Sequence, residues 1–300
     1  MSGRLRSNGI LLLLVVCCSL YLALPAVAFG QSAGEPKNPL FAFCMDTHDA
    51  KKRTLAQQAE MLEELGFDGA GHVGLDNVAE RVRTLDEAGL KLFLIGLRVN
   101  LAAKDRPYLA QVKEVLPPLK GRNVAMYVTL VGMKPGDPAG EPVAVPLLRE
   151  LADLARESGV DVVLYPHTGD WLVRMDHAVQ LAEKVDRPNL GVIFNLCHFL
   201  RNEDPATLDA VLESARPHLF LVSINGAEPE AKSEPGWAKL IEPLDQGTLD
   251  TYGLLKTLEK LDYTGPVALM CYGIGGDAKD HLAGSIAEWR RLQDRLRHDE

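Results

Sequence analysis

Cysteine is scarce in this sequence, and basic residues are outnumbered by acidic ones. Five cysteines occur among 300 residues, which is too sparse a set for a fold held together by disulfide bonds. The 32 Lys and Arg residues stand against 41 Asp and Glu residues and leave a formal net charge of −9. Because nucleic acids are bound through basic surfaces, nucleic acid is not expected as a partner.

Only one long apolar run is present, and it lies at the N-terminus. Arg4 and Arg6 precede an uncharged apolar segment, Ile10–Leu24, and the sequence Ala-Val-Ala at 26–28 fits the small-x-small cleavage rule. This pattern predicts a secretory signal peptide over residues 1–28, and hence an exported protein, periplasmic or extracellular. An uncleaved anchor helix is the alternative, because the run is nearly long enough to span a bilayer. After cleavage, no stable membrane span is expected.

From residue 29 onward, short apolar and β-branched runs alternate with longer amphipathic segments, which is typical of βαβ units on a parallel sheet. Phe41–Asp46 is predicted as the first strand and Lys51–Leu65 as its helix, which Gly66 ends. The remaining strands are predicted at Phe67–Val73, Lys91–Gly96, Val124–Leu130, Asp161–Tyr165, Gly191–Phe194, Leu219–Ser223 and Pro266–Cys271. Eight strand-helix pairs predict one α/β domain over residues 29–300, a (β/α)8 TIM barrel.

Two connections are longer than is usual between such units. They are Gly132–Pro142, after the fourth strand, and Ile224–Gly247, after the seventh. The second contains several Gly and Pro residues and Trp237. It is expected to form either a lid over the site or a mobile surface segment.

Active sites of this fold lie at the carboxyl ends of the strands, so the polar residues there are candidate site residues. Three histidines, His72, His167 and His198, occupy such positions. Imidazole transfers protons near neutral pH, so these three are predicted as catalytic groups, with a structural role as the alternative for each. Nine neighbouring residues are predicted to bind substrate: Asp46, His48, Arg98, Tyr127, Tyr165, Asn195, Ser223, Asn225 and Tyr272.

Three stretches carry a resemblance to a known family. They are LYPHTGDWL at 164–172, GVIFNLCHFL at 191–200, and the closing block 243–277, in which Gly, Asp, Tyr, Gly and Pro recur at 247, 250, 263, 265 and 266. The sequence resembles the sugar phosphate isomerase/epimerase group of xylose isomerase-like TIM barrels. With the alternation of strands and helices, the resemblance extends over nearly all of residues 41–296.

The resemblance also implies a comparison of metal ligands. Members of the family usually hold one divalent metal through a Glu, an Asp, a His and a Glu on the last four strands. The matching positions here are Tyr165, Asn195, Ser223 and Met270, which are poor ligands for a hard divalent ion. The family's two neighbouring histidines are matched by His167 and His198. No cofactor is therefore predicted, and a divalent metal held by other residues stays open.

These observations predict an exported enzyme of the isomerase/epimerase type. It is expected to act on a small-molecule carbohydrate or keto-sugar by histidine-mediated proton transfer, with lyase or hydratase chemistry on a keto-sugar included. The alternative is a non-catalytic barrel that binds a carbohydrate or a partner after losing the metal site. An endonuclease of the same superfamily is a third reading, against which the acidity and the missing ligands argue. Neither the substrate's identity nor the oligomeric state follows from the sequence.

Overall fold

Eight parallel strands close into a barrel in the computed structural model, which describes Met1, residues 38–106 and residues 108–298. The strands are β1 (Leu40–Phe43), β2 (Gly69–Gly71), β3 (Lys91–Asn100), β4 (Ala125–Val131), β5 (Asp161–Leu164), β6 (Leu190–Asn195), β7 (Leu219–Ile224) and β8 (Val267–Met270). Each strand pairs with the next, and β8 returns to β1, where Phe43 lies opposite Met270. The (β/α)8 barrel predicted from the sequence is confirmed.

The helices alternate with the strands. They are α1 (Leu55–Leu65), α2 (Val78–Glu87), α3 (Tyr108–Leu119), α4 (Glu141–Arg156), α5 (Met175–Val185), α6 (Leu196–Asn202), α7 (Leu208–Ala215), α8 (Thr251–Lys260) and α9 (Ala278–His298). Over the described residues, none of these helices combines the length and apolarity needed to cross a membrane. Of the predicted signal peptide, residues 1–28, the structure describes only Met1. The predicted start of the domain, residue 29, also lies outside the described residues.

Helix α1 begins later than predicted because a capping box forms at Thr54. The Thr54 hydroxyl accepts a hydrogen bond from the Gln57 backbone N–H at 3.3 Å, and the Gln57 side chain accepts one from the Thr54 N–H at 3.0 Å. This exchange satisfies two N–H groups that the helix leaves without a partner, so residues 51–54 stay outside it. Gly66 ends the helix as predicted, in a left-handed conformation with φ of 80°.

Helix α6 was not predicted from the sequence, and it starts directly where β6 ends. Leu196, Phe199 and Leu200 are buried on one side of it, and the Phe199 ring lies 5.3 Å from the Phe194 ring of β6. Seven residues are too few for helical periodicity to separate them from an apolar strand. As a consequence, His198 is presented by a helix and not by the strand itself.

The barrel interior is filled by side chains and closes the space beneath the strand ends. Phe41, Leu94, Ile193 and Leu221 are almost completely buried there. Gly96 leaves room for an aromatic ring, because a Cβ at that position would lie 2.2 Å from the Tyr127 hydroxyl. Since the interior is a packed core, as is usual for this fold, the space for a ligand lies at the end of the barrel.

Candidate active site

A cavity of about 390 Å³ lies at the carboxyl ends of the strands. Most of its wall is aromatic or aliphatic: Phe43, Val73, Leu97, Tyr127, Tyr165, Trp237, Ile241, Met270 and Tyr272. Its polar side chains are Arg98, Thr129, His167 and His198, together with the thiols of Cys44 and Cys197. Among the described residues, no aspartate or glutamate lines it. The site is therefore an apolar pocket with a few convergent polar groups, which is the usual form of a small-molecule site.

Six of the twelve residues predicted from the sequence line this cavity: Arg98, Tyr127, Tyr165, His167, His198 and Tyr272. Two others lie directly behind the wall. Asn195 donates a hydrogen bond to the Tyr165 hydroxyl, and the His48 ring packs edge-on against Tyr272, with 5.2 Å between the ring centres.

The other four predicted residues do not line the cavity: Asp46, His72, Ser223 and Asn225. His72 uses both ring nitrogens elsewhere, because Nε2 lies 2.6 Å from the Asp76 carbonyl and Nδ1 accepts from Arg81 Nε at 3.4 Å. Asn225 donates to the Leu240 carbonyl at 2.8 Å and holds a loop in place. A position at a strand end does not by itself show whether a side chain lines the cavity, since side chains alternate between directions along a strand.

The buried imidazole of His198 has a defined hydrogen-bonding state. Its Nδ1 accepts from the backbone N–H of Thr168 at 3.3 Å, and the Thr168 hydroxyl lies 3.1 Å from the same nitrogen. A backbone N–H can only donate, so Nδ1 carries the lone pair and the proton of the neutral ring sits on Nε2. Burial, followed by the charges of His167 and Arg201, lowers the pKa of His198 well below its usual value. His198 is thus a neutral imidazole with one N–H to donate.

His167 has the opposite arrangement. Its Nδ1 lies 3.0 Å from the Thr168 carbonyl and 3.4 Å from Asp170 Oδ2, both of which are acceptors. The proton therefore sits on Nδ1, and Nε2 carries the lone pair. Burial lowers the pKa of His167, while the Asp170 carboxylate opposes that shift. The ring centres of His167 and His198 are 4.2 Å apart, so a proton acceptor and a proton donor stand side by side.

Asp170 is itself fixed by Arg98. The guanidinium donates to both carboxylate oxygens, at 3.0 and 3.4 Å, and the Asp170 side chain is only 5% exposed. Burial raises the pKa of Asp170, and the neighbouring His167 and Arg98 oppose the rise. The sequence places Asp170 with Tyr165 and His167 at the end of the fifth strand, but no specific role was predicted for it, although a His and an Asp three residues apart in the stretch HTGD were a usable signal.

A chain of hydrogen bonds prepares the Tyr165 hydroxyl as a donor. The Cys197 thiol donates to Asn195 Oδ1 at 3.0 Å, which turns the amide so that Nδ2 donates to the Tyr165 oxygen at 2.5 Å. Burial raises the pKa of Tyr165 well above its usual value and that of Cys197 to about 12, so both keep their protons at neutral pH. The Tyr165 proton is left available for another acceptor.

The four residues that the resemblance places at the family's metal-ligand positions do not form a site for a hard divalent ion. Tyr165 and Asn195 are bonded to each other, Ser223 has a buried hydroxyl without a hydrogen-bond partner, and Met270 offers a thioether. Such ions prefer carboxylate and carbonyl oxygens. In the part of the chain that the structure describes, no three His, Cys, Asp or Glu side chains are grouped to hold a metal.

The chain is similar to known proteins in its fold. The family described as xylose isomerase-like TIM barrel matches residues 59–293 of the chain. No curated protein matches it. Among solved structures, the D-allulose 3-epimerase from Methylomonas sp. is 17% identical with a TM-score of 0.66, covering 86% of this chain and 99% of its own.

Two further solved structures are similar to this chain. The 3-keto-D-glucoside 4-epimerase from E. coli is 18% identical with a TM-score of 0.65, covering 85% of this chain and 99% of its own. The probable 3-DHS dehydratase from Bacillus anthracis is 15% identical with a TM-score of 0.67, covering 84% of this chain and 98% of its own. Identities this low establish a shared fold, while function has to be argued from the site.

Proposed function

Because the chain belongs to the xylose isomerase-like TIM barrel family, we propose that this protein is a sugar isomerase or epimerase that uses a pair of histidines to move a proton next to a carbonyl. The observation that carries the proposal is that Nδ1 of His167 faces hydrogen-bond acceptors and Nδ1 of His198 faces a donor, at a ring separation of 4.2 Å. We further propose that it works after export, in the periplasm or outside the cell, because residues 1–28 have the layout of a signal peptide.

The proposed reaction needs one acceptor and one donor of protons. Nε2 of His167 takes the proton from the carbon beside the carbonyl of a keto-sugar, and the electron pair of that bond forms an enediolate. Nε2–H of neutral His198 and the Tyr165 hydroxyl donate hydrogen bonds to the carbonyl oxygen as negative charge develops on it. Return of the proton to the former carbonyl carbon isomerises the sugar, while the proton of the adjacent hydroxyl passes to the former carbonyl oxygen. Return to the other face of the original carbon, after the enediolate has turned over beside His167, epimerises the sugar. Loss of a β leaving group instead gives the lyase reaction.

The similar structures support this class of substrate. By their names, one epimerises D-allulose at carbon 3 and another epimerises a 3-keto-D-glucoside at carbon 4. Both names describe a change at a carbon of a keto-sugar, which a proton acceptor beside a carbonyl binding group serves. An apolar cavity also suits such chemistry, because exclusion of water strengthens the hydrogen bonds to the developing charge.

Deuterium exchange tests the proposal directly. The protein is incubated in D2O with D-allulose, D-fructose and a methyl 3-keto-glucopyranoside, and deuterium beside the carbonyl is measured by NMR. We expect exchange into at least one of them, and an unchanged rate after dialysis against a chelator, because the strand-end donors do not suit a divalent ion. A sugar that binds without exchange would instead favour the non-catalytic binding barrel. Loss of exchange with stoichiometric loss of manganese or zinc would overturn the metal-independent mechanism.

The pH dependence of exchange should follow His167 and respond to Asp170. Exchange requires unprotonated His167, so the rate falls as the pH drops through a pKa below the usual value of about 6.5. Asp170→Asn removes the charge that favours the imidazolium, so the midpoint of this acid limb should move to still lower pH. The measurement is the pH profile of exchange. Asp86→Asn, on the far surface of α2 in an exposed pair with Arg122, is the matched control and should leave the profile unchanged. A midpoint that rises in Asp170→Asn would contradict the proposed pairing.

A further inference from the structure

The segment that joins β7 to α8, residues 225–250, is packed against the barrel. Its two ends are tied by an antiparallel bridge between Gly226 and Glu242 and a parallel bridge between Ala227 and Gly247. Ala227, Leu240 and Leu244 of the segment are buried. The segment brings Trp237 and Ile241 to the cavity wall, which is where a lid, one of the two possibilities left open by the sequence, would lie.

One side chain of α6 holds this segment from the other side. Arg201 Nη1 donates to the carbonyl oxygens of Lys232 at 2.7 Å and Glu234 at 2.6 Å, and Nη2 donates to that of Gly236. The same guanidinium lies over the Trp237 ring, with Cζ 5.0 Å from the ring centre. Three main-chain bonds and a cation–π contact therefore fix the indole in one orientation.

The Trp237 indole also contacts His198, one of the proposed reacting groups. The Trp237 ring meets the His198 ring edge-on, with 5.0 Å between centres and an angle of 80°. Arg201 lies over the indole, and Trp237 also lines the cavity. Trp171 and Trp289, the other two tryptophans, are 0% and 1% exposed. Trp237 is thus the only tryptophan that a ligand in this cavity can touch.

We infer that Trp237 is the platform on which a ring-closed pyranoside stacks, and that Arg201 is the residue that positions it. The axial C–H groups of a pyranose form a flat apolar face that matches an indole, whereas an open-chain polyol has no such face. The inference rests on the proposed function and deepens it, because it selects a cyclic keto-glycoside over a free open-chain ketose. Stacking on Trp237 sets the ring beside His198, where the carbonyl has to lie.

Binding of an unreactive sugar tests this inference apart from catalysis. The probes are methyl β-D-glucopyranoside and D-sorbitol, titrated by intrinsic fluorescence and by calorimetry. We expect the pyranoside to change the fluorescence and to bind at least about tenfold more tightly than sorbitol. Trp237→Leu should weaken pyranoside binding at least about tenfold and leave the weak sorbitol binding unchanged, while Trp237→Phe should stay within about threefold of the parent protein.

Two further variants complete the test. Arg201→Met should weaken pyranoside binding and increase quenching of Trp237 by acrylamide, because the segment is no longer held, whereas Trp289→Phe should change neither. Equal affinity of Trp237→Leu and the parent, equal affinity for sorbitol and the pyranoside, or no binding of the pyranoside would overturn the inference. Intact pyranoside binding without any deuterium exchange would count against the proposed function and not against the platform.

Discussion

Replacing His167 by alanine is expected to lower the rate of deuterium exchange about 10²- to 10⁴-fold, the usual contribution of a general base. The loss should appear in kcat with little change in KM, because His167 acts on the proton that moves in the transition state. The side chain is 35% exposed, so its removal should leave the fold intact. The measurement is the rate of exchange at saturating keto-sugar, with the thermal unfolding midpoint recorded for each variant.

Two companion variants make this result specific. His198→Asn keeps an acceptor for the Thr168 N–H but removes the Nε2–H donor, so exchange should fall while the pH profile keeps its midpoint. His218→Ala alters a histidine at the opposite end of the barrel, just before β7, and should exchange at the parent rate. Unchanged exchange in His167→Ala would rule out this residue as the base and return the assignment to the remaining polar groups of the cavity.

Trp171→Ala is expected to have the largest effect on stability, about 3–5 kcal/mol, the usual cost of removing a buried tryptophan. Trp171 is completely buried, and its Nε1 donates to the Asp137 carbonyl at 2.7 Å. Gly140 lies so close that a Cβ there would be 2.3 Å from the indole. The long connection after β4 therefore wraps this ring, and Trp171 joins it to the segment that carries His167 and Asp170.

The same variant should disturb the site in a way that stability alone does not explain. Trp289→Ala is the matched control, since Trp289 is equally buried but lies in α9 and not in the segment that carries His167. Both variants should lose comparable free energy of unfolding in urea, whereas only Trp171→Ala should also lose exchange under conditions in which it is folded. Equal exchange by the two folded variants would show that Trp171 does not support the His167 segment.

Residues at the positions that the resemblance assigns to the family's metal ligands take part in other contacts in the structure. The resemblance indicated that Tyr165 and Asn195 stand at two ligand positions, and the structure shows them bonded to each other, with the amide turned by Cys197. An isolated sequence cannot state which way an amide faces, because that depends on its hydrogen-bond partners, here one beside the adjacent strand and one at the start of α6. The sequence indicated that the metal ligands are replaced. It did not indicate the hydrogen bonds that join Cys197, Asn195 and Tyr165.

The sequence by itself determined the barrel, the end at which the cavity lies and the residue types that face it. Strand and helix periods are local properties, and the fold places all carboxyl ends of its strands on one side. Only the tertiary structure decided that His72 stands apart, that α6 presents His198, and that Thr168 and Asp170 give the two histidines opposite tautomers. The physical reason is that these features depend on which particular side chains meet, including residues far apart in the chain, such as Thr168 with His198 and Arg98 with Asp170.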